Sequence, residues 1–363
     1  MKKILISANN LDIGGIETSL INLLKNMDLN KYDITLYLEE KKGVFLKDVP
    51  KEIIVKEYKT CKSKNIIIRK FKNLLNRFKF LINNYKKYDA SICYATYSGP
   101  GSLIARNASN NRTIFVHSNY FKSYNDINIT KAFFNKIKIN KYNHIVFVSN
   151  ESKNDFLNIY PKMSNKSYVI NNLIDNDKIM TLSKNKIDIK KNNKKIFLFV
   201  GRLDESSKRL TLLLDTAKEC MKKKIDATFW LIGDGPDKEK YEKLIKEYKL
   251  DNVLMLGAKS NPYPYIKACD YLILTSNYEG FPVVYNEAII LNKPIITTID
   301  VSDDYISIPD RFGYVCKPNA EDITNTINNV IKKPFVIKEQ IDFNNLNKKR
   351  IEKIEELLEN KND

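Results

Sequence analysis

Short apolar runs alternate with longer amphipathic segments through most of this chain. The runs have the length of buried strands, and the segments between them have the length and spacing of helices. Such alternation is typical of doubly wound α/β domains, in which a parallel sheet carries helices on both faces. We predict strands at residues 3–7, 34–38, 90–94, 112–116, 145–149, 196–201, 227–232, 252–256, 271–274 and 294–298.

The alternation restarts after a polar stretch in the middle of the chain. Residues 183–195 are rich in lysine and asparagine, which is typical of a linker, and 363 residues exceed the usual size of a single core. We therefore predict a Rossmann-like domain over 1–183, a second over 184–340, and a C-terminal helix over 341–363 that packs back towards the first domain. Two such domains would face each other across a cleft, which suits a ligand with two chemically different halves.

The composition restricts the partners and the compartment. A formal net charge of +18 attracts polyanions such as nucleic acid, anionic lipid or nucleotide diphosphates, and does not choose among them. The five cysteines stand singly, so we predict neither a zinc site nor a disulfide framework, and we expect a reducing cytosol. The apolar part of the first residues is too short for a signal peptide, and no apolar run approaches ~20 residues, so we predict no membrane span.

Two glutamates flank a Gly-Phe-Pro turn that follows the predicted strand 271–274. Glu279 lies in the turn, and Glu287 lies inside the next helix, where Pro282 suits the first helical position. The amino end of such a helix offers N–H donors and partial positive charge to a phosphorylated ligand. The carboxylates would accept hydrogen bonds from hydroxyls of a sugar or ribose. The alternative is a capped surface helix with two ordinary acidic residues.

Two cations bracket the loop that follows the predicted strand 196–201. Arg202 and Lys208 precede a long amphipathic helix, and cations near a helix amino end can neutralise a diphosphate. When a nucleotide sugar reacts, charge develops on the leaving diphosphate, so cations at this place would stabilise the transition state. The alternative is a positively charged loop on a basic protein.

Glycines mark two further turns after predicted strands. Gly233 lies in a Gly-x-Gly turn that lacks the last glycine of a dinucleotide fingerprint, and both a tight turn and direct ligand binding are open for it. Gly14 and Gly15 follow the first strand and open a helix, which lets a ligand approach the backbone closely. We favour ligand contact over a purely structural turn for this pair.

The chain has two histidines, and we assign them different roles. His117 follows the predicted strand 112–116 at its carboxyl end, where it would face the cleft, although a lone histidine is more often structural. His144 precedes the strand 145–149 at the opposite end of the sheet, and we interpret it as structural.

Residues 56–87 form a basic amphipathic stretch. Lysines and arginines alternate there with isoleucine, leucine and phenylalanine at helical spacing, and Glu57 is its only acidic residue. One interpretation is an ordinary packed helix with a solvated cationic back. The other is docking on an anionic membrane face, to which each basic residue near the surface adds about 1 kcal/mol.

As a set, the Glu279–Glu287 spacing, the Gly-Arg-Leu and Lys-Arg segments around Arg202 and Lys208, and the Gly-Gly turn resemble retaining GT-B glycosyltransferases of family 4. Those enzymes assemble bacterial capsule, exopolysaccharide and lipid-linked glycans. The resemblance covers nearly the whole chain, and only the gap between Arg202 and Lys208 is slightly longer than in the commonest form. It implies a GT-B fold with two Rossmann-like domains.

The resemblance also implies a reaction. A sugar would move from a nucleotide-diphosphate donor, UDP favoured over GDP, to a saccharide or lipid-linked saccharide, with retention of configuration and without a metal ion or cofactor. Arg202 and Lys208 would hold the diphosphate, Glu287 the ribose, and Glu279 with the following backbone the sugar, which His117 would also contact. The implied donor-binding residues are Gly14, Gly15, Arg202, Lys208, Gly233, Lys259, Glu279, Gly280, Phe281, Pro282, Val283 and Glu287.

In the related enzymes the loop at residues 261–265 lies against the nucleobase and reads it through backbone groups, so the base stays open. The protein would be cytoplasmic and could attach peripherally to the inner face of the membrane. We see no motif of the known nucleic-acid modules and no signal for an oligomer. The alternatives are a catalytically silent binding partner of the same fold, a basic nucleic-acid-binding protein, and a sugar-nucleotide epimerase.

Overall fold

The computed structural model describes residues 1–190, 193–300 and 308–359, without the side chain of Asp310. Residues 191–192 of the predicted linker and 360–363 of the predicted C-terminal helix lie outside the described residues. The described part of the linker, 183–190 and 193–194, contains neither helix nor strand.

The chain divides into two compact units. Unit 1 comprises Met1–Ile174 and Asn344–Asp363, and unit 2 comprises Asp175–Phe343. The boundary between Ile174 and Asp175 therefore precedes the predicted boundary at 183/184. The reason is a short helix, Asn176–Leu182, whose last carbonyl accepts a hydrogen bond from the Asn261 amide at 3.1 Å within unit 2.

Unit 1 contains a seven-stranded sheet in the order β3-β2-β1-β4-β5-β6-β7. All neighbouring strands are parallel. The strands are β1 (Lys2–Ala8), β2 (Tyr32–Leu38), β3 (Ile54–Glu57), β4 (Ala90–Cys93), β5 (Asn111–Val116), β6 (His144–Phe147) and β7 (Ser167–Val169). The inner strands are buried because helices cover the sheet, as their continuous apolar runs require.

Among its described residues, unit 1 also contains seven α-helices. They are α1 (Gly15–Asn26), α2 (Ile66–Asn84), α3 (Gly99–Ala108), α4 (Tyr120–Tyr124), α5 (Ile127–Lys136), α6 (Asn150–Ile159) and, at the end of the chain, α14 (Phe343–Glu359). Helix α14 packs in unit 1, where Ile354, Leu357 and Leu358 join the core beneath β1 and β2. The Asn111 amide fixes its end by donating to the Leu357 carbonyl at 2.9 Å.

Unit 2 contains a six-stranded parallel sheet in the order β10-β9-β8-β11-β12-β13. Its strands are β8 (Lys195–Val200), β9 (Ala227–Ile232), β10 (Val253–Gly257), β11 (Tyr271–Leu274), β12 (Ile295–Thr297) and β13 (Gly313–Val315). Its helices are α7 (Asn176–Leu182), α8 (Glu205–Lys208), α9 (Leu210–Lys222), α10 (Lys238–Glu247), α11 (Tyr263–Ala268), α12 (Val283–Ile290) and α13 (Ala320–Lys332). A π-helical turn of unit 2 lies at Ile308–Phe312. The 3₁₀ turns of unit 1 lie at Val44–Asp48, Ile139–Lys141 and Pro161–Lys166.

Two Rossmann-like parallel α/β units confirm the predicted fold class, and every predicted strand is present. The sequence missed β3, β7 and β13. Each of them is short and lies at the edge of its sheet, so it lacks the long apolar run of a strand that is buried on both faces. No helix among the described residues is both long and apolar enough to cross a bilayer.

Candidate functional site

The turn between β11 and α12 brings together a cation and a carboxylate predicted from separate motifs. Lys208 Nζ donates to Glu279 Oε1 at 2.5 Å, and Ser276 Oγ donates to the same oxygen at 2.6 Å. The pair is largely buried, with side-chain exposures of 17% for Lys208 and 10% for Glu279. Water therefore screens this pair little, and Glu279 fixes the direction of the Lys208 ammonium group.

Backbone contacts hold the lysine loop against this turn. The Asn277 N–H donates to the Ser207 carbonyl at 2.8 Å, and the Asn277 amide donates to the Ser206 carbonyl at 3.0 Å. The Thr275 hydroxyl donates to the Lys208 carbonyl at 3.1 Å. These bonds place Lys208 beside Glu279 even though the two residues are far apart in the sequence.

Gly233 is needed where two loops of unit 2 meet. Its φ of +151° favours glycine, and a Cβ atom there would approach the Gly201 carbonyl oxygen to 1.8 Å. The adjoining Gly201 N–H donates to the Ile232 carbonyl at 3.0 Å. Close backbone packing therefore accounts for this glycine, and its contact with a donor stays a prediction.

The other predicted cations of unit 2 differ in their surroundings. Arg202 is exposed in the loop that follows β8, so its guanidinium group is accessible to a ligand. Lys259 donates to Asp188 at 2.7 Å, and its ammonium group lies 5.3 Å from the centre of the Tyr265 ring. A donor phosphate would have to compete with Asp188 for Lys259.

The amino end of α12 can bind an anion. Pro282 precedes the helix and provides no side-chain cap for the N–H groups of the first turn, which Val283 begins. Phe281 is buried and Gly280 is half-buried, so the turn that leads into the helix is anchored by its aromatic ring. The N–H groups of Val283 and Val284 begin the helix, and Glu279 holds Lys208 at the turn before it, so this end of the helix is suited to a phosphate.

Glu287 lies in a different environment from Glu279. It is buried in α12, and desolvation raises its pKa to about 7, while a hydrogen bond from Tyr263 acts in the opposite direction. The carboxyl group therefore gains or loses its proton near neutral pH. Ionised, it can accept hydrogen bonds from two ribose hydroxyls.

In unit 1 the Gly14-Gly15 turn lies against a carboxylate that the sequence analysis did not single out. Gly14 is the N-cap of α1, and the Glu17 carboxylate folds back over it. The Tyr97 hydroxyl donates to Glu17 at 3.3 Å, and burial raises the pKa of Glu17. The turn therefore presents a tyrosine and a carboxyl group at the carboxyl end of β1.

His117 follows β5 and lies against aromatic rings. Its ring centre is 4.6 Å from that of Tyr94 and 5.9 Å from that of Phe115. Burial lowers its pKa to about 4. His117 is therefore neutral at pH 7. His144 is fully buried in β6, in agreement with a structural role.

The basic stretch folds into α2 with its apolar face turned away from the core. Phe80 and Asn84 are its only buried residues. Phe71 precedes Phe80 by about two and a half turns, so the two rings point in opposite directions. The exposed large apolar residues of the helix are Ile66, Ile67, Ile68, Phe71, Leu74, Leu75, Phe78 and Ile82. An ordinary packed helix would bury this face instead.

Two residues of the unit 2 site escaped the sequence analysis. Ser276 supports Glu279, and Tyr263 supports Glu287. Ser276 directly precedes the recognised turn, so its position in the sequence is a usable signal. Tyr263 lies in α11, and only the folded structure shows its contact with Glu287.

Family models match both halves of the chain. Residues 13–178 match the model described as Glycosyltransferase Family 4, and residues 182–360 match the model described as Glycosyl transferases group 1.

Two curated relatives align with most of the chain. An uncharacterized glycosyltransferase of Methanocaldococcus jannaschii is 28% identical over 86% of this chain and 79% of its own. The N-acetylgalactosamine-N,N'-diacetylbacillosaminyl-diphospho-undecaprenol 4-alpha-N-acetylgalactosaminyltransferase of Campylobacter jejuni is 26% identical over 82% of this chain and 81% of its own. The crystal structure of Anabaena HepE with UDP and glucose superposes with a TM-score of 0.72, at 17% identity, over 98% of this chain and 100% of its own.

Proposed function

Because the chain belongs to the family 4 GT-B glycosyltransferases, we propose that it transfers a sugar from a nucleotide-diphosphate donor, with retention of configuration, to a saccharide or lipid-linked saccharide. The observation that carries this proposal is the Lys208–Glu279 pair at the turn before α12. It holds a cation beside a helix amino end, where a diphosphate can bind.

Unit 2 supplies the chemistry of the leaving group. The Lys208 ammonium, the exposed Arg202 guanidinium and the N–H groups of α12 neutralise the charge that develops on the leaving diphosphate. Glu279 holds Lys208 and, with the Gly280-Phe281 backbone, positions the donor sugar. Glu287 accepts from the ribose hydroxyls.

The two glutamates do not act as a glycosidase acid and base pair. Glu279 is engaged by Lys208 and Ser276, and Glu287 is buried beside Tyr263. The leaving diphosphate itself takes the proton of the acceptor hydroxyl, on the same face of the sugar, so the anomeric configuration is retained. Cationic side chains neutralise the diphosphate in place of a metal ion. We therefore expect full transfer in the presence of EDTA.

The donor is a UDP-sugar rather than a GDP-sugar, and neutral His117 contacts a hydroxyl of its sugar. The UDP and glucose in the Anabaena structure support this donor class. The diphospho-undecaprenol in the name of the Campylobacter relative supports a lipid-linked acceptor. We further propose that the product is a cell-surface polysaccharide, whether capsule or exopolysaccharide.

A lipid-linked acceptor would require the enzyme to work at a membrane surface. The exposed apolar face of α2 and the cations of residues 56–87 support peripheral attachment to an anionic membrane, on its cytoplasmic side.

The first test is a thermal-shift panel with UDP, GDP, ADP and CMP and their common sugar conjugates. A ligand at 100 times its dissociation constant adds about 2.7 kcal/mol to the free energy of unfolding, which raises the melting temperature measurably. We expect stabilisation by UDP and one UDP-sugar. If none of the nucleotides or sugar conjugates raises the melting temperature of the folded protein, the proposal is contradicted.

The second test removes the cation. Lys208→Ala should lower transfer about 100-fold or more, because it removes a charge that acts on the transition state. Lys222→Ala is the matched control, since Lys222 donates to Glu219 at 2.6 Å on the exposed surface of the same unit. Equal turnover by both variants would exclude the role of Lys208.

The same assays separate the alternatives. Nucleotide binding without turnover on any acceptor would identify a silent binding partner. Conversion of the UDP-sugar to an epimer without an acceptor would identify an epimerase.

A further inference from the structure

A cavity of about 520 Å³ lies in unit 1 beside the core-facing side of α2. Its walls come from β2, from β3 and the residues after it, and from the second half of α2. It lies apart from the Lys208–Glu279 turn, which belongs to unit 2. The proposed transfer reaction therefore assigns it no role.

The polar groups on the floor of the cavity bond to one another, and its rings are packed together. The Tyr37 hydroxyl donates to the Asn84 side-chain oxygen at 3.1 Å, and the Asn84 amide donates to the Phe80 carbonyl at 3.0 Å. The rings of Tyr37 and Tyr58 both pack edge-on against Phe80. Few donors of the floor are left for a ligand, so recognition depends on the walls.

The walls carry more positive than negative charge. Lys56, Lys59 and Lys79 line the cavity together with one carboxylate, Glu57. Glu57 is already engaged, because Lys59 lies 3.7 Å from it and the backbone N–H of Lys41 donates to it at 3.2 Å.

Two of these lysines are available to an anion. Within the described ranges, neither Lys56 nor Lys79 has an ion-pair partner. The Lys56 ammonium lies 5.8 Å from the centre of the Tyr37 ring, which holds it over the cavity without neutralising it. Such a pair of ammonium groups can bind the oxygens of one phosphate.

The position of the cavity on α2 indicates where that phosphate comes from. Lys79 lies one turn after Leu75, at the border between the cavity side of the helix and its exposed apolar face. A helix that lies in a membrane interface has its apolar face among the acyl chains and its borders at the level of the headgroups. The opening of the cavity would then lie at the level of the lipid phosphates.

We propose that this cavity binds the phosphate of a lipid headgroup, through Lys56 and Lys79. The inference rests on the membrane attachment in the proposed function. It adds a defined headgroup site to the general attraction between the basic residues and an anionic membrane. Ten lysines and arginines and no carboxylate lie between Glu57 and Asp89, so the surrounding surface attracts the same anionic membrane.

The test is a co-sedimentation titration of the full chain with phosphatidylcholine vesicles that contain phosphatidylglycerol. The double variant Lys56→Gln and Lys79→Gln should bind about 100-fold more weakly or worse, because each lysine loses a charge-assisted hydrogen bond to the phosphate as well as its share of the surface attraction. The matched control is Lys70→Gln and Lys72→Gln, which removes the same charge from the same helix without touching the cavity lining. We expect the control to lose about 25-fold, which is about fivefold for each exposed lysine near the surface.

Each alternative result overturns the proposal. Equal losses in the two double variants would mean that the surface charge acts as a whole, without a site. Displacement of the vesicles by soluble glycerol phosphate would assign the cavity to a soluble phosphate compound. Absence of vesicle binding by the unmodified chain would exclude both the site and the attachment.

A UDP thermal shift on the same samples tests unit 2 separately. If a variant loses vesicle binding but is still stabilised by UDP, the chain is folded. Only binding at the cavity has then been lost. Vesicle binding without any UDP stabilisation would contradict the transfer proposal and leave the headgroup site intact.

Discussion

The turn before α12 in unit 2 and the helix α2 in unit 1 use lysine in opposite ways. Lys208 is largely buried, and its ammonium group is fixed by Glu279 and by backbone bonds between the two loops. The lysines of α2 are exposed, and they lie beside apolar side chains such as Ile67, which is 78% exposed.

The comparison shows that the surroundings of a lysine determine its role in a strongly basic chain. A fixed, desolvated cation acts on charge that develops at one point, because no reorganisation is needed when the reaction occurs. A group of mobile exposed cations acts on a surface whose charges are spread out, and its effect weakens with salt. The net charge of +18 alone does not distinguish these uses.

The largest expected effect is that of Glu279→Gln on transfer. The amide keeps the size of the side chain but no longer holds Lys208 by charge, so the cation loses its direction. We expect turnover to fall about 100-fold to 1000-fold, while binding of the bare nucleotide stays near normal. Steady-state transfer with a UDP-sugar, together with UDP titration, measures both.

The control for this prediction is Glu219→Gln, which breaks the exposed Lys222–Glu219 pair. The side chains of that pair are 59% and 32% exposed, so its loss should change neither turnover nor stability by more than about 1 kcal/mol. Full turnover by Glu279→Gln would remove the distinction between the two pairs.

The sequence was sufficient for ten of the thirteen strands, and insufficient for the short edge strands β3, β7 and β13 and for the contacts between loops. Strands such as β8 and β9 are recognisable because they are buried on both faces and are apolar except for Lys195 and Thr228. The Lys208–Glu279 pair joins residues 71 positions apart, and no periodicity encodes such a contact. The turns themselves were predictable from Gly-Phe-Pro and Gly-Arg-Leu, but their packing against each other was not.

The same limit applies to α2. The spacing of residues 56–87 predicts an amphipathic helix, but a sequence pattern does not tell whether the apolar face is covered. In the structure, Phe80 and Asn84 on the opposite face of α2 pack against the rest of unit 1.

A smaller effect is expected when the apolar face of α2 is made polar. Phe71 and Phe78 are 61% and 55% exposed, and each should contribute about 1 kcal/mol when the rest of its surface leaves water at a membrane. The double change to serine should therefore weaken binding to phosphatidylglycerol-containing vesicles about 30-fold. Co-sedimentation measures this loss.

The same double variant should unfold at nearly the same temperature as the unmodified protein. Exposed side chains contribute little to folding, and the expected change in free energy is within about 0.5 kcal/mol. A clear loss of stability would mean that these rings are buried in the protein in solution, and α2 would then be an ordinary packed helix.

The last expected effect concerns Glu287, which lies in the helix after the turn and titrates close to neutrality. Its pKa is about 7 in the folded protein and 4.5 in its ordinary state, so between these values the folded chain holds the extra proton. The free energy of unfolding therefore falls as the pH rises through this window, by about 3 kcal/mol in total. Glu287→Gln should remove this fall, and chemical denaturation of both proteins across the window isolates it from other groups.

Donor binding should depend on the same proton in the opposite sense. The ionised carboxylate accepts from ribose hydroxyls, so the affinity for a UDP-sugar should fall as the pH drops below about 7, by up to about tenfold per pH unit. A UDP-sugar is the suitable probe because its two phosphates stay ionised over this range. If calorimetric titration finds the same pH dependence in Glu287→Gln, another group controls binding, and Glu287 belongs to the core of α12 rather than to the donor site.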